Sequence, residues 1–440
     1  MGRRRGHHVL APRWAARALV AVAVAVALSG VAVWRPWRPA PPSVAAIECA
    51  VAAGDTGSVL RLAAARLRRR AADPPLLDVL ATVSVGLIED AGGAGVAPDV
   101  AAAVRTIAFV LHGDLSQGSS GARVAELAGR FALLAGNDDM GLSDLARAEA
   151  RGAGPAGLAV PRALALLRLE RFAEAVQAAR SDATLSPPHR AALLILRARG
   201  ELGLSQVAAA RASLLAALAL DPAAVDAVAR LGLLALWRDH DTAAAAELLG
   251  HARRLAPDAV PTLRLAGEYA YATGDYAASA AAYGALARSG TAEAFDPVPA
   301  SLGAARALIY VGDLAGARAA LDAAPLPAED PSLRYDRALL AYRGGDFNQA
   351  VALARALTYV WRDYPPLDLL LGGALLAAGY PASAAARLGH YVAQFQGDAA
   401  ARGLLDAAEH GVPASPQTLQ TALGFPLSQA NGSTDRSGPR

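Results

Sequence analysis

The sequence predicts an all-α protein in which antiparallel helix pairs follow one N-terminal transmembrane helix. Three observations predict this fold: small residues paired at a fixed spacing, glycine-aspartate breaks between helical segments, and one uncharged apolar run near the N-terminus. The 440 residues are 54% hydrophobic and 18% charged, which is enough apolar material for one large core or several small ones. This composition excludes a disordered protein.

The uncharged run ALVAVAVAVALSGVAVW, residues 18–34, forms the predicted transmembrane helix. Trp14, Trp34 and Trp37 lie at its ends, where interfacial tryptophans are expected. Arginines are more frequent before the run than after it, so residues 1–17 are expected in the cytoplasm and most of the chain outside. A cleaved signal peptide is the alternative, because it would also show a basic start and an apolar run.

The chain contains no lysine, so its 42 basic residues are all arginine, a bias that indicates a GC-rich bacterium. The outside compartment is then the periplasm, and the anchor would lie in the bacterial inner membrane. The absence of lysine excludes a P-loop, a Schiff-base lysine and a Ser-Lys dyad. Cys49 is the sole cysteine, which excludes an intramolecular disulfide and a cysteine-based zinc site.

Other site chemistries also lack a supporting pattern. The eight histidines show no metal-ligand spacing, and the near-neutral body of the chain argues against nucleic-acid binding. GAGPAG, residues 152–157, matches GxGxxG, but no strand precedes it, so we interpret it as a loop between helices. We therefore expect no enzymatic activity, no cofactor and no metal. An enzyme with an unrecognised site in residues 45–155 is the remaining alternative.

Pairs of small residues twelve positions apart recur along the chain and define its repeat. Successive pairs are separated by steps of 35, 34, 35, 38, 33 and 34 residues. Two helices can cross closely only where small residues face each other, so each pair predicts one two-helix unit. The pairs are Ala163/Ala175, Ala198/Ala210, Gly232/Ala244, Gly267/Ser279, Ala305/Ala317, Ala338/Ala350 and Gly372/Ala384.

The break between the helices of a unit has its own signature, seen as TGDY (273–276), VGDL (311–314) and GGDF (344–347). Glycine allows the left-handed backbone that ends the first helix, and aspartate caps the second helix. We therefore predict that the aspartates of these breaks are helix caps, and not ligands of an acidic metal site.

These units resemble the tetratricopeptide repeat (TPR) family. The family's leucine-glycine pair appears as Leu231-Gly232, and the aromatic residue that opens its second helix appears as Tyr276 and Phe347. The resemblance covers seven units in residues 156–398, although the last four lack the family's inter-repeat proline. It implies a right-handed superhelical solenoid with a groove lined by the first helices.

The resemblance also implies which residues line that groove. Arginine side chains suit carboxylates, and aromatic rings suit peptides or sugars, so a protein partner or extended peptide is expected, with a glycan as the alternative. Several of these side chains could instead pack against the next unit. The positions are Arg199, Arg230, Trp237, Arg264, Glu268, Tyr271, Arg306, Tyr310, Tyr335, Asp336, Tyr342 and Arg343.

The stretch LRLAGEYAYATGDYAASAAAYGALA, residues 263–287, contains four tyrosines. Tyr276 and Tyr283 fall at packing positions of the repeat and are expected between helices. Tyr271 is expected to point into the groove, and Tyr269 fits neither class.

The remaining segments are assigned by composition. Residues 35–44 are a proline-rich spacer, and residues 45–155 are a helical region of divergent repeats or an N-terminal cap. Residues 399–428 are predicted to cap the C-terminal end of the stack, and residues 429–440 to form a disordered tail.

Together these features predict a non-catalytic, membrane-anchored periplasmic scaffold that binds protein partners through its groove. Such a protein would serve a cell-envelope assembly, secretion, pilus or polysaccharide-export system, and the fold alone does not choose among them. A glycan- or peptidoglycan-binding accessory factor is the alternative.

Overall fold

The computed structural model describes residues 40–69, 74–90, 98–116, 121–180, 185–288 and 299–424. Every regular element in these ranges is an α-helix. The predicted transmembrane helix and the predicted disordered tail lie outside the described residues. Within the described ranges, no helix is both long enough and apolar enough to cross a bilayer.

The chain forms two compact units, Met1–Ala71 and Ala72–Arg440. The first unit contains α1 (Val44–Ala52) and α2 (Thr56–Leu67), which pack against each other. Its two helices are joined by a glycine-aspartate break, in which the carboxylate of Asp55 accepts a hydrogen bond of 2.9 Å from the amide of Ser58. This break has the same form as those of the repeats.

In the second unit, each helix from α4 onward contacts the next helix along the chain, and the helices from α5 to α20 form pairs joined by short turns. The helices are α3 (Pro74–Asp90), α4 (Pro98–Ser116), α5 (Ala122–Leu134), α6 (Asp138–Ala150), α7 (Pro155–Arg168), α8 (Phe172–Ala178), α9 (Pro187–Gly203), α10 (Val207–Leu220), α11 (Val225–Trp237), α12 (Thr242–Leu255), α13 (Val260–Ala272), α14 (Tyr276–Arg288), α15 (Ala300–Val311), α16 (Leu314–Asp322), α17 (Pro331–Arg343), α18 (Phe347–Leu357), α19 (Pro365–Ala377), α20 (Pro381–Gln394), α21 (Ala399–Glu409) and α22 (Pro416–Ala422).

Small residues lie where the two helices of a pair cross. A Cβ atom on Gly372 of α19 would lie 2.7 Å from Cγ of Leu388 on α20. The ring of Tyr283 on α14 fits between two glycines, since a Cβ atom would lie 2.8 Å from it at Gly267 and 2.6 Å from it at Gly303. A larger residue at these positions would push the helices apart.

The pair formed by α5 and α6 is built in the same way. A Cβ atom on Gly129 would lie 2.7 Å from Cγ of Leu145, and one on Gly141 would collide with Leu133. Gly129 and Gly141 are twelve residues apart, and Gly129 precedes Ala163 by 34 residues. The repeat therefore begins one pair earlier than the seven units recognised in the sequence.

The glycine-aspartate breaks have the predicted geometry. Gly274, Gly312 and Gly345 have φ angles of +81°, +95° and +82°, in the left-handed region that ends a helix. The aspartate that follows each glycine accepts a hydrogen bond from a main-chain amide three residues later, at distances of 2.9 to 3.1 Å. The prediction that these aspartates are caps is confirmed.

A large core cluster lies at the C-terminal end of the stack. It extends from Leu302 on α15 through the last three predicted units to Leu419 and Ala422 on α22. The terminal helix thus shares one core with α15 to α21. Through this shared core, α22 is held on the face formed by the first helices of these pairs.

Candidate partner-binding face

The first helices of the pairs form one face of the second unit. From α11 onward, each first helix contacts the first helix of the next pair. We call the surface of α11, α13, α15, α17 and α19, with the connection at residues 361–364, the first-helix face. Eleven of the twelve predicted binding residues lie on α11 to α17, and Arg199 lies on α9.

An ion pair on the first-helix face joins α15 to α17. Nε and Nη2 of Arg306 donate hydrogen bonds of 3.0 and 3.1 Å to the two carboxylate oxygens of Asp336. Asp336 is fully buried, whereas 29% of the Arg306 side chain is exposed. Burial raises the pKa of Asp336, but the hydrogen bonds from Arg306 favour its charged form. Burial also opposes the charge of Arg306, yet the adjacent carboxylate outweighs it and raises the pKa of the guanidinium group.

Three tyrosines form a cluster beside this ion pair. The ring centroids of Tyr276 and Tyr310 are 4.6 Å apart in a stacked arrangement, and Tyr271 lies edge-on to both at 5.5 and 5.6 Å. Burial raises the pKa of all three tyrosines above its usual value. They therefore remain neutral at physiological pH, and their hydroxyl groups can donate hydrogen bonds. Tyr276, expected between helices, is half-buried and belongs to this cluster.

A second aromatic group lies near the start of α17 and α19. The ring of Tyr335 on α17 is 5.7 Å from that of Trp361 and 5.8 Å from that of Tyr364. Tyr364 is the N-cap of α19 and is 40% exposed. Trp361 and Tyr364 were missed in the sequence because they lie in a connection and not on a first helix. The sequence feature that could have identified them is a tryptophan and a tyrosine within the four residues before the helix start at Pro365.

Further along the face, Glu268 on α13 links two aromatic residues. Its carboxylate accepts a hydrogen bond of 3.0 Å from the indole nitrogen of Trp237 and another from the hydroxyl group of Tyr283. Arg264 is only 4% exposed, and its guanidinium carbon lies 5.9 Å from the centroid of the Tyr283 ring. Arg264 therefore contributes to packing, whereas Trp237 is 45% exposed and can meet a partner.

Two further predicted residues lie closer to the start of the second unit. Arg230 forms an ion pair of 2.9 Å with Asp226 on the same helix. Arg199 is half-buried on α9, two first helices away from the nearest aromatic cluster. The structure thus brings together the predicted residues on α13, α15 and α17, and leaves those on α9 and the start of α11 apart.

The C-terminal helix α22 covers part of the first-helix face. The hydroxyl of Tyr342 donates a hydrogen bond of 2.8 Å to the carbonyl oxygen of Leu419, and that of Tyr310 donates one of 3.1 Å to the carbonyl oxygen of Leu423. Nη1 of Arg343 donates one of 2.7 Å to the side-chain oxygen of Gln420. Three predicted binding residues, Tyr310, Tyr342 and Arg343, therefore already bind a helix of the same chain.

The arrangement supplies hydrogen-bond donors, aromatic rings and one buried ion pair. Its tyrosine hydroxyls and arginine can bind carbonyl and carboxylate oxygens, and its rings can bind apolar or aromatic side chains. Within the described part of the chain, no group of three or more His, Cys, Asp or Glu side chains could hold a metal ion. The face is therefore suited to binding another molecule through hydrogen bonds and aromatic packing.

Comparisons with known proteins give structural likeness only. No protein-family model matches the chain, and no curated protein matches it in sequence. The structure is similar to that of PilW, described as a type IV pilus biogenesis factor, at 18% identity and a TM-score of 0.39, over 50% of this chain and 98% of that one. A tetratricopeptide repeat protein from Parabacteroides merdae matches at 14% identity and a TM-score of 0.33, over 66% of this chain and 98% of that one.

The human IFIT1 dimer with m7Gppp-AAAA matches at 14% identity and a TM-score of 0.45, over 82% of this chain and 91% of that one. The fold is TPR-like. The helix pairs, their small-residue crossings and their capped breaks show this. The likeness to these proteins concerns the fold alone.

Proposed function

We propose that this protein is a non-catalytic scaffold that binds a segment of a protein partner on its first-helix face. One observation carries this proposal: Tyr310, Tyr342 and Arg343 already bind main-chain and side-chain oxygens of a helix that crosses the face. Donors that satisfy the polar groups of one helix can do the same for a segment of a partner. The Arg306–Asp336 pair and the tyrosine cluster extend the same surface beyond that helix.

We also propose that residues 18–34 form a membrane anchor, with the repeat unit on the periplasmic side. The support is the sequence alone, namely the uncharged run, the tryptophans at its ends and the arginines before it. The partner would then belong to a cell-envelope assembly, such as a secretion, pilus or polysaccharide-export system. A periplasm-dependent phosphatase reporter fused at residue 45 should be active, and a reporter active only in the cytoplasm would overturn this part.

Site-specific photocrosslinking tests the partner-binding face. The photoreactive residue replaces Tyr364, an exposed tyrosine that caps first helix α19, or Tyr380, an exposed tyrosine that caps second helix α20. This matched pair differs in the face that each residue occupies. In cells, the label at Tyr364 should capture a defined protein that the label at Tyr380 does not. Equal capture at both positions would contradict the proposal.

A second candidate is a glycan-binding accessory factor, favoured by the exposed rings of Trp237 and Tyr364, which are 45% and 40% accessible. The same cells distinguish the two candidates. If neither label captures a protein, and Tyr364→Ala and Trp237→Ala abolish retention of the protein on peptidoglycan or envelope polysaccharide, the glycan candidate replaces the scaffold. Unchanged retention in both variants would eliminate the glycan candidate.

A further inference from the structure

Helix α22 does not continue the stack. Helix α21 contacts α19 and α20 as the next first helix would, so α22 would be expected to pair with α21 on the side of the second helices. The chain turns through residues 411–415, and α22 contacts α21 but also lies against α19 and accepts a hydrogen bond from α17. The hydrogen bond from Tyr310 to Leu423 spans 113 residues of sequence. The terminal helix thus occupies the face on which partner binding is proposed.

The hydrogen bonds from Tyr310, Tyr342 and Arg343 all reach the C-terminal end of this helix. The last carbonyl groups of an α-helix have no partner within the helix. The carbonyls of Leu419 and Leu423, in the last turn and at the C-cap of α22, accept from Tyr342 and Tyr310 at 2.8 and 3.1 Å. Arg343 reaches the same end through Gln420, where a positive charge also favours the helix dipole.

The site buries few apolar side chains of α22. Among the α22 side chains that the structure describes, Leu419 and Ala422 are buried, at 3% and 7% exposure, and they lie three residues apart on one side of the helix, while Leu423 at the C-cap is partly buried against the same core. Two buried side chains and a few hydrogen bonds hold a helix of seven residues, a length that is marginal for a helix in water. The connection before it contains Gly411 and Pro413 and has no regular structure.

We propose that Tyr310, Tyr342 and Arg343 form a receptor for the C-terminal end of a short amphipathic helix of a partner protein, and that α22 occupies this receptor until the partner displaces it. The partner helix carries two apolar residues three positions apart, in the place of Leu419 and Ala422. This inference rests on the proposed function, since it identifies the kind of segment that the first-helix face binds.

The connection between α21 and α22 sets the affinity that the partner helix must exceed. A flexible linker keeps its attached segment at an effective concentration on the order of millimolar. A free helix with the affinity of α22 would compete only near that concentration. The partner helix must therefore make further contacts, and the tyrosine cluster next to Leu423 supplies a surface for them, because Tyr310 belongs to both sites.

A labelled synthetic peptide with the sequence of residues 413–424 tests the receptor on the full chain. The wild-type chain should bind it weakly, because α22 already occupies the site. Leu419→Asp removes the buried anchor of α22 and should increase the affinity for the peptide at least tenfold. Thr421→Asp places the same charge at an exposed position of the same helix and should not. In the Leu419→Asp chain, Tyr342→Phe should weaken peptide binding about fivefold, because one hydrogen bond is lost.

Equal peptide affinity in the wild-type and Leu419→Asp chains, with unchanged helix content by circular dichroism, would overturn the receptor. If Leu419→Asp does not fold, Tyr342→Phe in the wild-type chain serves instead, and it should accelerate hydrogen exchange in residues 416–424. Unchanged exchange there would overturn the inference too. If the peptide fails to bind while crosslinking at Tyr364 captures a partner, the receptor is wrong and the scaffold proposal stands. If the peptide binds but crosslinking at Tyr364 captures no partner, the receptor for α22 stands and the scaffold proposal is wrong.

Discussion

Arg306 on α15 holds the fully buried carboxylate of Asp336 on α17 with two hydrogen bonds of 3.0 and 3.1 Å. This pair joins two neighbouring first helices. Arg306→Met would leave the buried carboxylate without its cation, and we expect a loss of roughly 3 kcal/mol in the free energy of unfolding. Urea unfolding measures it. Arg211→Met is the control, because the Arg211–Asp239 pair is partly exposed and should contribute less than about 1 kcal/mol. Equal losses in the two variants would contradict the assigned role.

The ring of Tyr283 leaves no room for a methyl group at Gly303. A Cβ atom there would lie 2.6 Å from the ring, so Gly303→Ala should destabilise the protein by about 1 to 3 kcal/mol. At Gly250 on α12 the nearest side-chain atom would be 3.6 Å away, so Gly250→Ala should stabilise the protein by about 0.5 to 1 kcal/mol. Thermal unfolding of both variants compares them. A stabilised Gly303→Ala variant would show that the helices can separate without cost.

In three of the described breaks between helices, the residue with the left-handed backbone is not a glycine. Ser205 has a φ angle of +60°, as Glu170 and His240 have at +56°. A left-handed backbone costs a non-glycine residue roughly 1 kcal/mol, part of which is offset by the greater freedom of glycine in the unfolded chain. Ser205→Gly should therefore raise the free energy of unfolding by up to about 1 kcal/mol. Gly274→Ala, at φ +81°, should lower it by about 1 kcal/mol. Chemical denaturation that gives both changes the same sign would refute this.

Asp138 at the start of α6 gives a pH-dependent prediction. Burial raises its pKa above 3.8, and Arg168, at 3.4 Å, offsets this only in part. A carboxyl group whose folded pKa is raised stabilises the fold below its unfolded pKa, and this contribution is lost as the pH rises through the folded pKa. The stability of the wild type relative to Asp138→Asn should therefore fall between pH 3.8 and neutral pH. Denaturant titrations across this range measure it, with exposed Asp258→Asn as the control, because Asp139 itself contributes to the raised pKa of Asp138. A relative stability that rises with pH would contradict the assignment.

The helix pairs could be predicted because their determinants are local. A glycine and an aspartate within one turn are enough to end one helix and cap the next, as Gly274 and Asp275 do. The spacing of small residues is also present at Gly129 and Gly141, twelve residues apart, in the region that the sequence assigned to divergent repeats or an N-terminal cap, and the structure shows a complete pair there. Small residues at a fixed spacing are thus a better guide to a pair than the longer pattern of the family.

The candidate site could be predicted only to the level of its helices. The family positions selected the first helices, but they did not separate the exposed Trp237 from Arg264, which is buried beneath the same surface. That difference depends on Tyr283, which lies on another helix. The position of α22 on Tyr342 could not be foreseen, because contacts across 77 residues leave no periodic signal in a sequence.

In a linear array, each pair contacts only its neighbours, so the ends are free to open independently of the middle. Helix α22 and its C-cap Leu423 contact α15, α17 and α19 at once, which couples three successive pairs to a single helix. These pairs should open together and not one after another. Release of α22 would then do more than uncover a surface: it would lower the cooperativity of the C-terminal half of the array, and a bound helix would restore it.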